Sequence, residues 1–399
     1  MTRPDAPGPA LRVPPPEFMR DPALRAVLAA LPSARIVGGA VRDALAGRPV
    51  ADVDLAAPEP PDQVIRALDA AGLKHAPTGL QHGTVTAISG GRGFEVTTLR
   101  TDERTDGRHA EVAWTTDWQQ DAARRDFTIN AMSMRADGAV FDYFSGIEDL
   151  AAGRVRFVGE PSQRIAEDYL RVLRYFRFHA RYGSAPPDAR TVQALRDAAP
   201  SLHRLSVERI WSEVKRILAV PDPVAPVRLM AELGVLAAVL PGANDLEALE
   251  RLVCAGAPAD PLLRLAAMQP GAGADLAARL KLSNAEAATL LALSGPAPDP
   301  GWDDGDLRRA LAGTPAPALI GRAWLMGGVA PEWAALRERL AAMKRPVFPL
   351  HGRDAVALGV PAGPRVGELL AEVRAWWMAG GCVAGAQHCR AELARRAGD

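Results

Sequence analysis

The period of the hydrophobic pattern changes near residue 150, and that change divides the chain. Before it, short apolar runs alternate with polar positions. Thr84-Val85-Thr86-Ala87-Ile88-Ser89 alternates, Gly90-Gly91-Arg92-Gly93 turns, and Phe94 to Arg100 returns. This predicts a hairpin with a four-residue loop. Met132 to Arg135 and Ala139 to Tyr143 surround Asp137-Gly138 and predict a second hairpin. Arg35-Ile36-Val37 reads as a short strand ending in Gly38-Gly39, and Ala40 to Ala46 as a helix closed by Gly47 and Pro49. Thr101 to Ala113 is polar and reads as a mobile loop. After residue 150 the spacing becomes helical. Over Ser162 to Ala180, positions Ile165, Tyr169, Val172, Leu173, Phe176 and Ala180 share one face. Ser206 to Ala219 is a second helix, and short helices continue to about residue 294. Residues 295–301 form a Pro/Gly connector, residues 345–364 a break, and a helix runs from about Val366 to Ala379. The pattern predicts an α+β chain: a mixed α/β head over 21–150, then an extended all-α part.

Composition narrows this picture. At 399 residues and 48% hydrophobic, the chain can bury more than one core. No run of about 18 apolar residues occurs, so no membrane span is expected. Residues 1–20, rich in proline and without an apolar signal core, read as a flexible leader. Cys254, Cys382 and Cys389 lack zinc-ligand spacing, and so sparse a set suits a reducing, cytoplasmic setting. Lys and Arg equal Asp and Glu at 47 each, but residues 154–216 carry thirteen basic against seven acidic side chains. Such a local excess suits a phosphate-backbone partner or, equally on charge alone, helices with solvated arginines.

Three constellations carry chemistry. The first is Asp52-Val53-Asp54 after Gly38-Gly39-Ala40-Val41-Arg42-Asp43. In a strand, residues two apart point the same way. Asp52 and Asp54 then project together, and a hard cation such as Mg²⁺ relieves their repulsion while sharing substrate phosphates. A glycine pair at a strand-to-helix turn lets backbone approach a phosphate. Most such aspartate pairs are surface residues; the glycine element beside this one favours the metal-plus-phosphate reading. The second is Arg124-Arg125-Asp126-Phe127-Thr128-Ile129-Asn130. Arginine binds phosphate oxygens bidentately, though a helix-end salt-bridge cluster fits the same residues. The third is Glu167-Asp168-Tyr169-Leu170-Arg171 with Arg174 and Arg177, a ridge along the first long helix. Asp168 and Arg171, read as neighbours, form an acceptor–donor pair. It matches the amine and ring acceptor of cytosine or adenine and opposes the carbonyl of uracil or guanine. A solvated face with local ion pairs is the plainer reading of that spacing.

Together these motifs resemble the class II tRNA nucleotidyltransferases, the CCA-adding enzymes grouped with bacterial poly(A) polymerases in the polymerase-beta-like superfamily. The resemblance runs in order through Gly38–Asp43, Asp52–Asp54, Glu95–Arg100, Arg124–Ala131, Glu167–Arg171 and Leu205–Ile210. It is strong over about 34–220 and continues weakly into Pro349–Asp354 and Gly363–Gly367. It implies a catalytic head (21–150), a base-reading neck (151–220), a body (221–298) and a tRNA-binding tail (299–399). It implies Mg²⁺ on Asp52 and Asp54. Gly38, Gly39, Arg42, Arg124 and Arg125 would bind the nucleotide's phosphates or sugar. Asp168 and Arg171 would read the base, with Arg174 and Arg177 supporting nucleotide or tRNA. Glu95 is a candidate further acid. The expected reaction is template-independent addition of CCA to tRNA from CTP and ATP, releasing pyrophosphate, with no membrane and no obligate protein partner. Addition of CC or A alone, poly(A) synthesis and a catalytically inactive RNA-binding protein are the alternatives. The polar stretch Asp102 to Glu111 favours full CCA addition, because the site must adjust between cytosine and adenine. No His-Asp dipeptide occurs, so no phosphohydrolase activity is expected.

Overall fold

The computed structural model describes residues 8–105, 110–271 and 273–398, with no side chains described over 102–112. The chain divides into two compact units. The first holds residues 1–217 and 225–240, the second residues 218–224 and 241–399. The neck thus belongs with the head, and residues up to Leu240, read from sequence as body, largely join them.

The first unit is built on an eight-stranded sheet. Its strands are β1 (Leu11–Arg12), β2 (Arg35–Val37), β3 (Asp54–Ala57), β4 (Lys74–Gly79), β5 (Thr84–Ser89), β6 (Arg92–Thr98), β9 (Ser133–Met134) and β10 (Ala139–Phe141). The order is β1-β10-β9-β2-β3-β6-β5-β4, antiparallel throughout except for the parallel pair β3·β6. Strand alternation decides the faces. Phe94 and Val96 are buried while Glu95 between them is exposed; Leu55 is buried while Asp54 before it is exposed. The apolar face packs on α1 (Pro22–Ala30) and α3 (Pro61–Ala70) through Leu24, Val27, Val64 and Leu68. Asp54 and Glu95 stand on the other.

Several expectations need correction. The β5–β6 hairpin turns through two residues, Gly90 and Gly91, not four; both have positive φ, which glycine adopts without strain. Residues 8–20, read as a flexible leader, are built into the fold. Leu11 and Arg12 pair with Val140 and Ala139, and Met19 is buried. The polar stretch 101–113, read as a loop, is largely a two-stranded ribbon of β7 (Arg100–Thr105) and β8 (Ala110–Trp114). Residues 106–109 and the side chains of Asp102 to Glu111 lie outside the described residues, so the proposed adjusting role of that stretch lies outside them as well. Strand β3 begins at Asp54, leaving Asp52 just before it.

Helices α2 (Gly39–Leu45), α4 (Trp118–Ala123) and α5 (Gly146–Ala151) complete the head. The neck brings α6 (Pro161–Glu167), α7 (Leu170–Tyr182), α8 (Ala189–Ala198) and α9 (Val207–Leu218). The single helix expected over 162–180 is therefore two, broken at Asp168. The reason is local. Asp168 has extended backbone (φ −154°, ψ 109°), and its Oδ1 accepts the Leu170 N–H at 3.0 Å. A side-chain acceptor competing for a backbone donor starts the next helix rather than continuing the first. Beyond the break, Val172, Leu173, Tyr175 and Phe176 are buried.

The second unit is all helical. After α10 (Val224–Glu232) and α11 (Val235–Val239), it contains α12 (Leu246–Cys254), α13 (Pro261–Met268), α14 (Gly273–Arg279), α15 (Asn284–Leu293), α16 (Asp304–Gly313), α17 (Ala316–Gly327), α18 (Pro331–Ala342), α19 (Gly352–Val356), α20 (Pro364–Ala379) and α21 (Ala386–Gly398). One core gathers Leu307, Leu311, Leu319, Leu336 and Leu340, another Leu350, Leu369, Val373, Trp377 and Leu393. No helix among the described residues is long and apolar enough to cross a membrane.

Candidate active site

Head and neck residues converge on one cavity of about 460 Å³ in the first unit. From the head come Gly38, Gly39, Arg42, Asp54, Arg125, Asp126 and Asn130; from the neck come Asp168, Leu170, Arg171, Arg174, Phe178 and Arg209. Eight of the sequence-predicted residues thus meet here: Gly38, Gly39, Arg42, Asp54, Arg125, Asp168, Arg171 and Arg174. Asp52, Arg124 and Arg177 do not line it.

The glycine pair shapes the floor. Gly38 has φ +65°, a region L side chains rarely adopt, and a Cβ there would lie 3.1 Å from Arg125 Nη1. Two arginines are fixed around it. Arg42, 8% exposed, donates through Nε and Nη2 to Asp43 Oδ1 at 3.1 and 3.0 Å and through Nη1 to Asn130 Oδ1. The Phe178 and Tyr182 rings flank its guanidinium at 5.0 and 4.5 Å, and the Tyr182 hydroxyl bonds Asp43 as well. Arg125 donates to Asp121 Oδ2 at 3.2 Å, and Arg124 to Asp121 Oδ1 at 2.9 Å. Arg124 therefore serves the buried Asp121 beside Arg125. Burial pushes the Asp121 carboxyl up, but Arg125, Arg124 and their hydrogen bonds outweigh it and hold it below the usual range.

The carboxylates gather on the strand face. Leu55 pairs with Val96 in the parallel register, which sets Asp54 beside Glu95 one residue earlier. Although the Asp54 side chain opens to the cavity, its pKa is raised. Lost hydration comes first and Glu95 second, with Arg125 opposing and Asp52 adding. No group of three His, Cys, Asp or Glu among the described residues is arranged to hold a metal. The donor set fits Mg²⁺ in another way. It takes one or two carboxylates and completes its shell with substrate phosphate oxygens, and the crowded charge at Asp54 is what a cation relieves.

The two residues expected to read the base are held differently from expectation. Asp168 and Arg171 line the same cavity but are not each other's partner. Asp168 Oδ2 accepts Arg209 Nη2 at 2.7 Å. Arg171 donates to the Arg164 carbonyl at 2.8 Å and to Glu167. Arg174 donates to Asp126 Oδ2, at 2.7 Å from Nε, and Asp126 Oδ1 accepts Asn130 Nδ2 and the Phe127 N–H, both at 2.9 Å. Burial opposes the Asp126 charge; Arg174 and these bonds overcome it and lower its pKa. Arg177 points elsewhere. It pairs with the buried Glu213 at 3.1 Å without hydrogen-bond alignment, and burial lowers its pKa to about 10. Arg209 was missed as a site residue. Its motif, Leu205–Ile210, was visible in sequence, but its pairing across 41 residues was not.

Such a constellation, with an acid-bearing strand, a glycine turn, clustered arginines and a helical neck, defines a nucleotidyltransferase, and comparison with known proteins agrees. Residues 34–156 match the Poly A polymerase head domain, and residues 187–246 the probable RNA and SrmB-binding site of polymerase A. The chain is 39% identical over 358 residues to the mitochondrial CCA tRNA nucleotidyltransferase 1 of Danio rerio, covering 86% of this chain and 83% of that protein. It is 38% identical over 361 residues to the Mus musculus protein of the same name, with 87% and 83% covered. The crystal structure of Bacillus stearothermophilus CCA-adding enzyme in complex with CTP is 28% identical, with a TM-score of 0.73 over 94% of this chain and 98% of that one. The chain belongs to the class II CCA-adding nucleotidyltransferase and poly(A) polymerase family.

Proposed function

We propose that this protein adds CCA to the 3′ ends of tRNAs, taking CTP and ATP as substrates and releasing pyrophosphate. One observation carries the proposal. A single cavity brings together an acidic strand edge, a cationic glycine-floored cradle and a pair of base-edge groups from the neck. The similarity to CCA-adding enzymes, including one bound to CTP, supports it.

In this reading the tRNA 3′-hydroxyl attacks the α-phosphorus and pyrophosphate leaves. Arg42 and Arg125 receive the triphosphate, and the bare backbone at Gly38 admits its oxygens. Asp52 and Asp54 would hold Mg²⁺, which when bound supplies charge that lowers the hydroxyl's pKa and offsets that of the leaving oxygens. Glu95 adds a third negative charge beside Asp54. Asp168 accepts the exocyclic amine of cytosine or adenine, and Arg171 donates to the ring acceptor. Arg209 and Glu167 hold these two side chains in place, so the protein itself supplies the pairing edge and no nucleic-acid template is needed. Arg174, fixed by Asp126, adds positive charge near the nucleotide. Most of the catalysis is then positioning and charge stabilisation. The sparse free cysteines suit a reducing compartment, and we place the protein in the cytoplasm.

The test uses three tRNA transcripts, ending before CCA, after C and after CC, with CTP and ATP supplied separately. The expected result is C addition to the first two and A addition only to the third. Addition of A to the first transcript, or processive A runs, would make the protein a poly(A) polymerase. No incorporation at all would leave it an RNA-binding protein.

A further inference from the structure

Within the second unit, α12, α13, the end of α15 and α17 enclose a cavity of about 790 Å³. Sites for small organic ligands are of about this size, roughly 300–1,000 Å³. Alanine, leucine and glycine make most of its wall, with Ala266 and Ala267 buried. Met326 and Val329, 67% and 72% exposed, border it towards solvent.

Three charged side chains line it, Asp245, Arg251 and Arg322, and of these only Arg322 is buried. Arg322 on α17 is 9% exposed and lines the cavity. Its Nε donates to the Ala292 carbonyl at 2.6 Å and its Nη1 to the Pro296 carbonyl at 3.0 Å. Among the described residues, no carboxylate pairs with it and no acceptor takes its Nη2. The Ala292 carbonyl, in the last turn of α15, belongs to a helix end that presents only about half a negative charge, and the Pro296 carbonyl in the connector beyond it is a neutral dipole, so the unit charge stays unbalanced. Burial accordingly holds the guanidinium below its ordinary pKa. Asp245, the acid on the cavity wall, is committed elsewhere, accepting the Ala248 N–H at 2.8 Å as the cap of α12. A second arginine repeats the imbalance. Arg337, also 9% exposed, lies 3.5 Å over the Trp324 ring, which lines the cavity, and its Nη1 has no partner. Buried cations without counter-ions are costly, and an anion brought in by a ligand removes that cost.

We propose that this cavity binds a small amphipathic anion, its apolar body against the alanine and leucine wall and a single carboxylate or phosphate on Arg322. None of its residues belongs to the nucleotide cavity, and a ligand held here would be additional to the CTP, ATP and tRNA of the proposed function.

The test is fluorescence titration of the full chain with 1-anilinonaphthalene-8-sulfonate, beside N-phenyl-1-naphthylamine, which has the same rings and no charge. The expected result is one sulfonate dye per chain, bound at least tenfold more tightly than the neutral one. Arg322→Met should remove that preference while keeping the neutral dye. If Arg322→Met does not fold, Ala248→Trp, which fills the cavity from a half-buried position on α12, should block both dyes and spare CTP addition to tRNA. Decanoate and decyl phosphate serve as competitors. Displacement by either supports the site and tells a carboxylate from a phosphate ligand. Absence of one-to-one binding, an undiminished preference for the sulfonate dye in a folded Arg322→Met, undiminished binding of either dye in a folded Ala248→Trp, or displacement by neither competitor overturns the proposal. Displacement by tRNA alone would also overturn it, making the cavity part of an RNA surface.

Discussion

Arg209 should matter for which nucleotide is used, more than for how fast the enzyme works in general. It meets Asp168 at 2.7 Å, with side chains 31% and 22% exposed. Hydrogen bonds to charged groups contribute about 1.5–3 kcal/mol, and partial exposure moves this pair towards the lower end. Removing Arg209 leaves the Asp168 carboxylate, among the described residues, with the Leu170 N–H alone and free to turn from the proposed base edge. If about 1.4 kcal/mol of that is lost from the CTP transition state, kcat/KM for CTP falls roughly tenfold. In the proposed arrangement UTP gains nothing from Asp168, so its rate should change little. The assay is steady-state addition to a tRNA lacking CCA, with Arg209→Ala and Arg209→Lys, folding checked by circular dichroism. The CTP/UTP preference should narrow about tenfold in Arg209→Ala and recover in part in Arg209→Lys. A parallel loss of CTP and UTP activity would refute the reasoning and make Arg209 a packing residue only.

Other consequences follow from the same geometry. Asp52→Ala or Asp54→Ala should abolish nucleotide addition while filter binding shows nearly intact tRNA affinity; near-normal turnover would end the metal assignment. Asp121 and Asp126 both ionise below the usual carboxylate range in the folded chain. Their stabilisation is therefore complete above the unfolded value of about 3.9 and is lost as pH falls through the lower folded values. Asp126→Asn should flatten the acid limb of a denaturation profile, and an unchanged limb would contradict this. In the second unit, Arg264 is 2% exposed and donates to the Leu218, Val220 and Pro221 carbonyls, the last at 2.7 Å. Arg264→Met orphans all three, costing about 2–4 kcal/mol and roughly 5–10 °C in Tm by calorimetry; a shift under 2 °C would refute that role.

Much of this arrangement was legible in the sequence because it depends on local periods. Alternation over Thr84–Ser89 and Phe94–Thr98 marks β5 and β6, and the helical stripe from Val172 to Phe176 marks α7. What escaped depends on long-range partners. Asp168 looked like a mid-helix residue, since its i+3 spacing to Arg171 fits a helix whether or not its carboxylate caps the next one. Arg171, Arg174 and Arg177 look alike along the chain, yet Glu213 draws the last away from the cavity while Asp126 fixes the middle one beside it. Glu95 joins Asp54 only through the parallel register of β3 and β6, which no local pattern reveals. Residues 8–20 looked like leader because proline masks a two-residue edge strand. The roles assigned to individual residues came from resemblance, since spacing alone left solvated faces and salt-bridge clusters open.

In the proposed function, one cavity both joins the nucleotide and reads its base with protein side chains. Asp168→Ala tests it most directly, assayed with CTP and UTP on a tRNA lacking CCA. C addition should slow while UTP use rises relative to CTP, because the carboxylate that would oppose the uracil C4 carbonyl is gone and each such contact discriminates by about 1–3 kcal/mol. Uniform loss of activity with the CTP/UTP ratio unchanged would contradict it.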